Sequence, residues 1–175
     1  MITLRRYRTG NRPYVIGAAL LVLSLLAPPA FADCTDPPGP VVNWQRCSMD
    51  GLAMAGVDLS GARLRDASFF RSDLSGANLS GVSGYRAKFV NAELPGAVLD
   101  GGSFEAADFT KANLTDASLA GADLRRARLY HALLRGADLT GARLGGADLT
   151  SADLSGATWT DGKRVCADQS MGRCN

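Results

Sequence analysis

Residues 137–156 read ADLTG ARLGG ADLTS ADLSG. A leucine stands at every fifth position (Leu139, Leu144, Leu149, Leu154), and an alanine stands two places before each. A period of five matches neither the 3.6 of an α-helix nor the 2.0 of a strand. On a helix, leucines five apart would drift around the axis instead of forming one stripe. The backbone must turn a corner every five residues. The large and the small residue of each unit then face inward, and the other three face out.

The frame runs without a slip from Met54 to Trp159. One rung departs from it: Gly84 stands where a leucine belongs. Phe69, Phe89, Phe104 and Phe109 lie on the same or the adjoining side, and their bulk is expected to fill the space, since an open leucine-sized void costs a few kcal/mol. A second period of 20 lies inside the first. Two residues after the central position, Gly56, Gly76, Gly96, Gly136 and Gly156 form one series and Gly61, Gly81, Gly101, Gly121 and Gly141 another. The two intervening series, Asp66, Arg86, Ala106, Arg126 and Arg71, Asn91, Lys111, His131, contain almost no glycine. The expectation is a square coil in which two corners adopt positive φ and two do not.

The units Ala77-Asn78-Leu79-Ser80-Gly81 and Ala152-Asp153-Leu154-Ser155-Gly156 resemble the pentapeptide-repeat family, A-[D/N]-L-x-x in tandem, over about residues 47–160. The resemblance implies an all-β fold, a right-handed quadrilateral parallel β-helix. With coils at the sheet spacing of about 4.8 Å, about five coils give a rod roughly 25 Å long. The expected organisation is a secretory signal peptide over 1–32, an N-terminal cap over 33–51, the β-helix over 52–160 and a C-terminal cap over 161–175. Open sheet edges at both ends need cover. Val41, Val42 and Trp44 are assigned to the first cap, and Trp159 with Thr160-Asp161-Gly162 to the second.

Residues 1–32 carry Arg5, Arg6, Arg8 and Arg12, an apolar run from Tyr14 to Ala27, and the small-residue signal Ala30-Phe31-Ala32. That order is a cleavable secretory signal, and the run is short of the about 20 residues a transmembrane helix needs. The expected location is the periplasm or the exterior, with no membrane span in the mature chain. Of 19 Lys and Arg, four precede Asp33, leaving 15 against 17 acids, a net charge of −2. The basic precursor is therefore no sign of nucleic-acid binding. In an exported chain, an even count of cysteines favours disulfides over a metal site. A rod of this length keeps its ends too far apart for one bridge, whose Cα atoms must lie within about 7 Å. The pairing is then Cys34–Cys47 and Cys166–Cys174.

No catalytic set stands out. His131 is the only imidazole, and a serine nucleophile needs a positioned base. Aspartates before leucine follow the repeat, and an acid-pair hydrolase is the remote enzymatic alternative. No cofactor is implied. Some members of the resembled family bind DNA gyrase by imitating DNA, with an acidic surface and a helical dimerisation element; this chain has an export signal and a cysteine-bearing tail instead. Two classes remain: an interaction module for an unknown protein or an anionic envelope partner, and a structural or self-associating protein.

Spacing of 20 lines outward residues up in columns. The two glycine-cornered sides carry seven acids, Asp58, Asp73, Glu93, Asp100, Asp116, Asp138 and Asp153, against Arg135 alone. Cations gather on the other two. Pairing along the columns, as in Lys88-Asp108-Arg128-Asp148, is expected to leave Arg86 and Arg126 in one column and Arg71, Lys111 and His131 in another. Phe70 and Tyr130 run beside the latter. Exposed aromatics next to unpaired cations mark a candidate surface for an anionic polymer or lipid head group.

Overall fold

The computed structural model describes residues 34–175. The expected signal peptide and its cleavage point after Ala32 lie outside the described residues. Parallel bridges join residues 20 apart, from Asn43↔Arg63 through to Asp138↔Thr158. Four bridges are made per coil, one per side. Central residues stack into four inward columns: Trp44, Leu64, Gly84, Phe104, Leu124, Leu144 on the first face; Met49, Phe69, Phe89, Phe109, Leu129, Leu149 on the second; Met54, Leu74, Leu94, Leu114, Leu134, Leu154 on the third; Leu59, Leu79, Leu99, Leu119, Leu139, Trp159 on the fourth. The first rungs fall inside the segment read as a cap, so residues 33–51 supply both a covering loop and ladder residues.

The hydrogen bonds explain the motif. Leu59 N–H donates to Asn78 O (2.8 Å), Gly61 N–H to Ser80 O (2.8 Å) and Asn78 N–H to Val57 O (2.9 Å). Ala62 N–H closes the corner on Leu59 O (3.0 Å). One donor per unit is left over, the N–H just after the central residue. Asp58 Oδ1 accepts it from Ser60 at 2.9 Å, and Asp73, Asn78, Asp108, Asn113, Asp138, Asp148 and Asp153 repeat the arrangement. The acid or amide before leucine is thus a turn acceptor. Where that position holds serine, the coil before can supply the acceptor: Asp50 takes Phe70 N–H (2.8 Å) and Asp100 takes Ala120 N–H (3.0 Å). Pro95 sits at the same place in its unit, where a missing N–H costs nothing and its fixed φ suits the turn.

One expectation fails here. The corners without glycine also take positive φ: Asp66, Arg71, Arg86, Asn91, Ala106, Lys111, Arg126, His131 and Ser151 lie between 55° and 59°. From Gly51 to Gly156 every corner is a turn whose third residue is left-handed, because coil closure and the ladder bond from that residue's N–H demand the same geometry on all sides. Arg86 N–H to Glu105 O (3.1 Å) and Lys111 N–H to Tyr130 O (2.9 Å) are such bonds. They help offset the roughly 1–2 kcal/mol that a non-glycine residue costs in this region.

Phenylalanine fills the defect at Gly84. A Cβ on Gly84 would lie 2.8 Å from Phe104 Cδ1, and a Cβ on Gly102 would also collide with that ring. Phe69, Phe89 and Phe109 stack at 5.1 and 4.8 Å, and Phe104 meets Phe89 and Phe109 edge-on at 6.0 and 5.7 Å. Both expected disulfides are formed, with Cα–Cα distances of 5.4 Å for Cys34–Cys47 and 4.8 Å for Cys166–Cys174. At the start, Trp44 is buried and its Nε1 donates to Asp36 O at 3.2 Å. Val41, assigned to the same cap, is 73% exposed. At the other end the tail returns antiparallel, bridging Asp153↔Met171 and Thr158↔Val165. Leu154, Gly156 and Trp159 donate their N–H groups to Ser170, Cys166 and Arg164.

Candidate binding surface

The corner between the second and third faces carries Gly51, Arg71, Asn91, Lys111, His131 and Ser151 at its apex. Each side chain leaves from a left-handed residue and projects outward. Arg71, Lys111 and His131 are exposed, and none of them has an ion pair among the described residues. The Arg71 guanidinium lies 4.8 Å over the Phe70 ring, and Tyr130 meets His131 edge-on at 4.2 Å. The structure therefore brings together five of the seven candidate residues: Phe70, Arg71, Lys111, Tyr130 and His131.

Arg86 and Arg126 are placed elsewhere. They occupy the corner between the first and second faces, and both are paired: Arg86 with Asp66 at 3.3 Å and Arg126 with Glu105 at 3.6 Å. The expectation that subtraction of column pairs leaves them free is corrected. Asp66 shares Arg86's own column, and Glu105 reaches Arg126 from the neighbouring one. Arg125 joins Glu105 and Asp123, and Arg143 also reaches Asp123. In the alternating column the Arg128–Asp108 contact forms, at 3.3 Å. Asp66, Arg86, Lys88, Asp108 and Arg128 line an open cleft of about 390 Å³ over Ala106, the small residue of that corner.

Four carboxylates of the repeat, Asp58, Asp73, Asp123 and Asp153, are held ionised. Hydrogen bonds from Ser60 to Asp58 and from Ser75 to Asp73 and Ser155 to Asp153 lower each below the usual carboxylate range. The side-chain hydrogen bond from Arg125 does the same for Asp123. None of these acids is pushed toward the neutral form. Among the described residues no three His, Cys, Asp or Glu side chains gather as metal ligands would, and no helix is long and apolar enough to cross a membrane.

Sequence reasoning missed two exposed apolar residues beside the same corner, Leu133 and Met171, and a third, Leu52, exposed at the open first coil. Leu133 was findable, because it stands at an outward position where other units carry Asp, Asn or Ser. Met171 lies in the tail, which has no period to read. Thr110, between Phe70 and Tyr130 in their column, keeps a buried Oγ1 without a hydrogen bond.

The sequence profile described as Pentapeptide repeats matches in eight copies over residues 47–83, 62–101, 85–116 and 127–158. No curated protein matches. Among solved structures the chain is similar to HetL, a pentapeptide repeat protein involved in heterocyst differentiation regulation in the cyanobacterium Nostoc sp. strain PCC 7120: 25% identity over 70% of this chain and 76% of that one, TM-score 0.41. It is similar to a pentapeptide repeat protein of the Arabidopsis thaliana thylakoid lumen: 27% identity, 70% and 83% covered, TM-score 0.44. A third is QnrB1, a plasmid-mediated fluoroquinolone resistance protein, at 22% identity, 69% and 66% covered, TM-score 0.47.

Proposed function

Since this chain belongs to the pentapeptide-repeat family, we propose that it is an exported, non-enzymatic binding protein that meets an anionic partner of the cell envelope through one corner of its rod. The observation that carries this reading is the apex column Arg71, Lys111, His131, cationic or neutral throughout, beside exposed Phe70 and Tyr130. Elsewhere on the repeat rod, Arg86, Arg125, Arg126, Arg128, Arg135 and Arg143 are answered by acids of the same molecule. Export is supported by the signal pattern of residues 1–32 and by two disulfides, which persist in oxidising compartments. A binding role over a hydrolytic one is supported by the turn hydrogen bonds that occupy Asp58, Asp73 and Asp153. The rod of about five coils over 52–160 and the disulfide-tied ends over 33–51 and 161–175 give the corner a rigid mount.

The test is retention on immobilised dextran sulfate and sedimentation with anionic vesicles, both at low salt where attraction is least screened. Arg71→Asn/Lys111→Asn is the informative variant, because asparagine tolerates the left-handed corner. It should bind more weakly to whichever probe the native protein binds, while the circular dichroism stays unchanged. A native protein that binds neither probe refutes the reading. A second reading, self-association, is favoured by one observation: the tail bridges only the third and fourth faces of the last coil, leaving Leu144, Ala147 and Leu149 partly exposed. A mass that stays monomeric over a wide concentration range would dismiss it.

A further inference from the structure

Resting on that reading, we propose that the anionic partner is a lipid surface, on which the rod lies lengthwise along the corner between its second and third faces. Most of the exposed large apolar side chains gather at this corner. Of the seven in the described chain, Val41 and Val165 stand apart. Leu52 stands in the inward column of Ser72, Ala92 and Ala112 and is exposed at the open first coil; the other four, Phe70, Tyr130, Leu133 and Met171, follow this one corner and are 36–52% exposed. Phe70 belongs to the second coil, and Tyr130 and Leu133 to the fifth. Met171 is bridged to Asp153 one rung beyond the sixth. At the sheet spacing, Phe70 and Tyr130 are about 14 Å apart along the axis, and Phe70 and Met171 about 24 Å. They stand on a convex edge and not in a concave pocket, in two groups, with half-buried Val90 and Thr110 between Phe70 and Tyr130 in the third and fourth coils.

A square prism laid on a plane touches it along an apex. At this apex stand Arg71, Lys111 and His131 with Gly51, Asn91 and Ser151, and no carboxylate. The other three apices differ: one alternates Asp66 with arginines, and the remaining two are glycine series carrying Asp116 and Asp161. Acids do occur on the flanks of the edge, and hydrogen bonds draw them back onto the rod. Asp50 accepts Ser68 Oγ and Phe70 N–H, Asp73 accepts Ser75, Glu93 accepts Asn113 Nδ2, and Asp153 accepts Ser155 and Arg135. The cations have no such tether. Aromatic and aliphatic groups flanking unpaired cations on a straight edge suit the head-group layer, where apolar side chains enter and cations stay with the phosphates. A hydrophilic anionic polymer would use the cations and give the four apolar groups nothing to bury against.

The experiment compares three probes using the purified exported chain: vesicles of phosphatidylcholine with about a third phosphatidylglycerol, vesicles of phosphatidylcholine alone, and dextran sulfate. Sedimentation with the anionic vesicles is expected. Arg71→Asn/Lys111→Asn should lower partitioning about 25-fold, from about five-fold per cation at an anionic surface. Phe70→Ser/Tyr130→Ser/Leu133→Ser should lower it about ten-fold or more, through lost apolar insertion. Arg63→Asn/Arg143→Asn makes the same charge change on the first face, away from this corner, and should stay within about two-fold of native. Circular dichroism and melting verify that each variant is folded. Binding to dextran sulfate without binding to anionic vesicles overturns the lipid assignment and leaves the broader reading standing. Absence of binding to both overturns the two together. Equal loss in the first-face control overturns the corner.

Discussion

Replacing Gly84 by leucine restores the consensus rung yet should damage the protein. Gly84 has no left-handed φ, so leucine meets no backbone penalty there. It meets the Phe104 ring instead, since even its Cβ would lie 2.8 Å from Cδ1 and 3.0 Å from Cε1. Overpacking of this kind costs about 1–3 kcal/mol. Phe104→Leu alone leaves the space over Gly84 and beside Gly102 unfilled, at about 1–2 kcal/mol by the transfer and cavity terms together. If the two substitutions acted independently, the double variant would lose about 2–5 kcal/mol. The structure predicts the reverse: the leucine introduced at Gly84 would occupy the volume that the ring vacates, and Gly84→Leu/Phe104→Leu should fall within about 1 kcal/mol of the native protein. Urea midpoints with the disulfides intact measure all four corners of the cycle. Additive losses, with no favourable coupling, would show that Phe104 does not fill the Gly84 rung and that the first face is packed differently.

Three further outcomes follow from the turns, the tail and the corners. Asp58, Asp73 and Asp153 have carboxyls lowered from 3.8 by turn hydrogen bonds, so their stabilising contribution is present above that value and is lost as pH falls through the lower folded values. The melting temperature should therefore drop on acidification below about pH 4, and a flat profile would contradict the turn-acceptor role. Cys166→Ser/Cys174→Ser should lose about 2–3 kcal/mol. Amide exchange in that variant should quicken at Leu154, Gly156 and Trp159 while the central coils stay protected, and uniform quickening would deny the tail its covering role. Lys111→Gly should raise the urea midpoint, by up to about 1 kcal/mol of stability, because the residue sits at φ 57°; a loss would mean that the Lys111 side chain is held by the protein itself.

The square coil was legible because a period of five carries a second of 20; the right-handed β-helix was what the resemblance to the pentapeptide-repeat family implied. The Phe compensation at Gly84 was legible in kind, since a missing leucine and four phenylalanines lie within two coils. Its partner Gly102 went unnoticed, although it replaces an inward alanine only two places from Phe104. The glycine columns misled about the corners. Nothing lies within 4 Å of a Cβ built on Gly56, Gly76 or Gly96, so glycine there marks a backbone preference and its absence elsewhere does not mark another conformation. Column arithmetic could have paired Arg86 with Asp66, which stand 20 apart. The Arg126–Glu105 pair crosses between columns and needed coordinates. The tail has no period, and its antiparallel return over the last coil carries no signal in spacing alone.

The corner cations also bear on where function can be written in such a rod. The ladder satisfies its own backbone, and the residue before leucine is occupied with the turn donor. Corner residues have no such duty, and glycine or asparagine would cost least there. A lysine, arginine or histidine at φ near 57° is a departure that the fold does not need. On the corner between the first and second faces Arg86 and Arg126 have an internal answer in Asp66 and Glu105, and only Arg46, in the first coil, has no ion pair among the described residues. On the corner between the second and third faces Arg71 has only the Phe70 ring, and Lys111 has no ion pair among the described residues. Leu133 adds a second departure on the same corner, since it cannot accept the turn N–H of Arg135 as an aspartate would. Under the proposed reading, the costs at this edge serve an outside partner and not the fold. The Lys111→Gly variant separates the two demands, because it should gain stability and lose affinity for anionic surfaces at once.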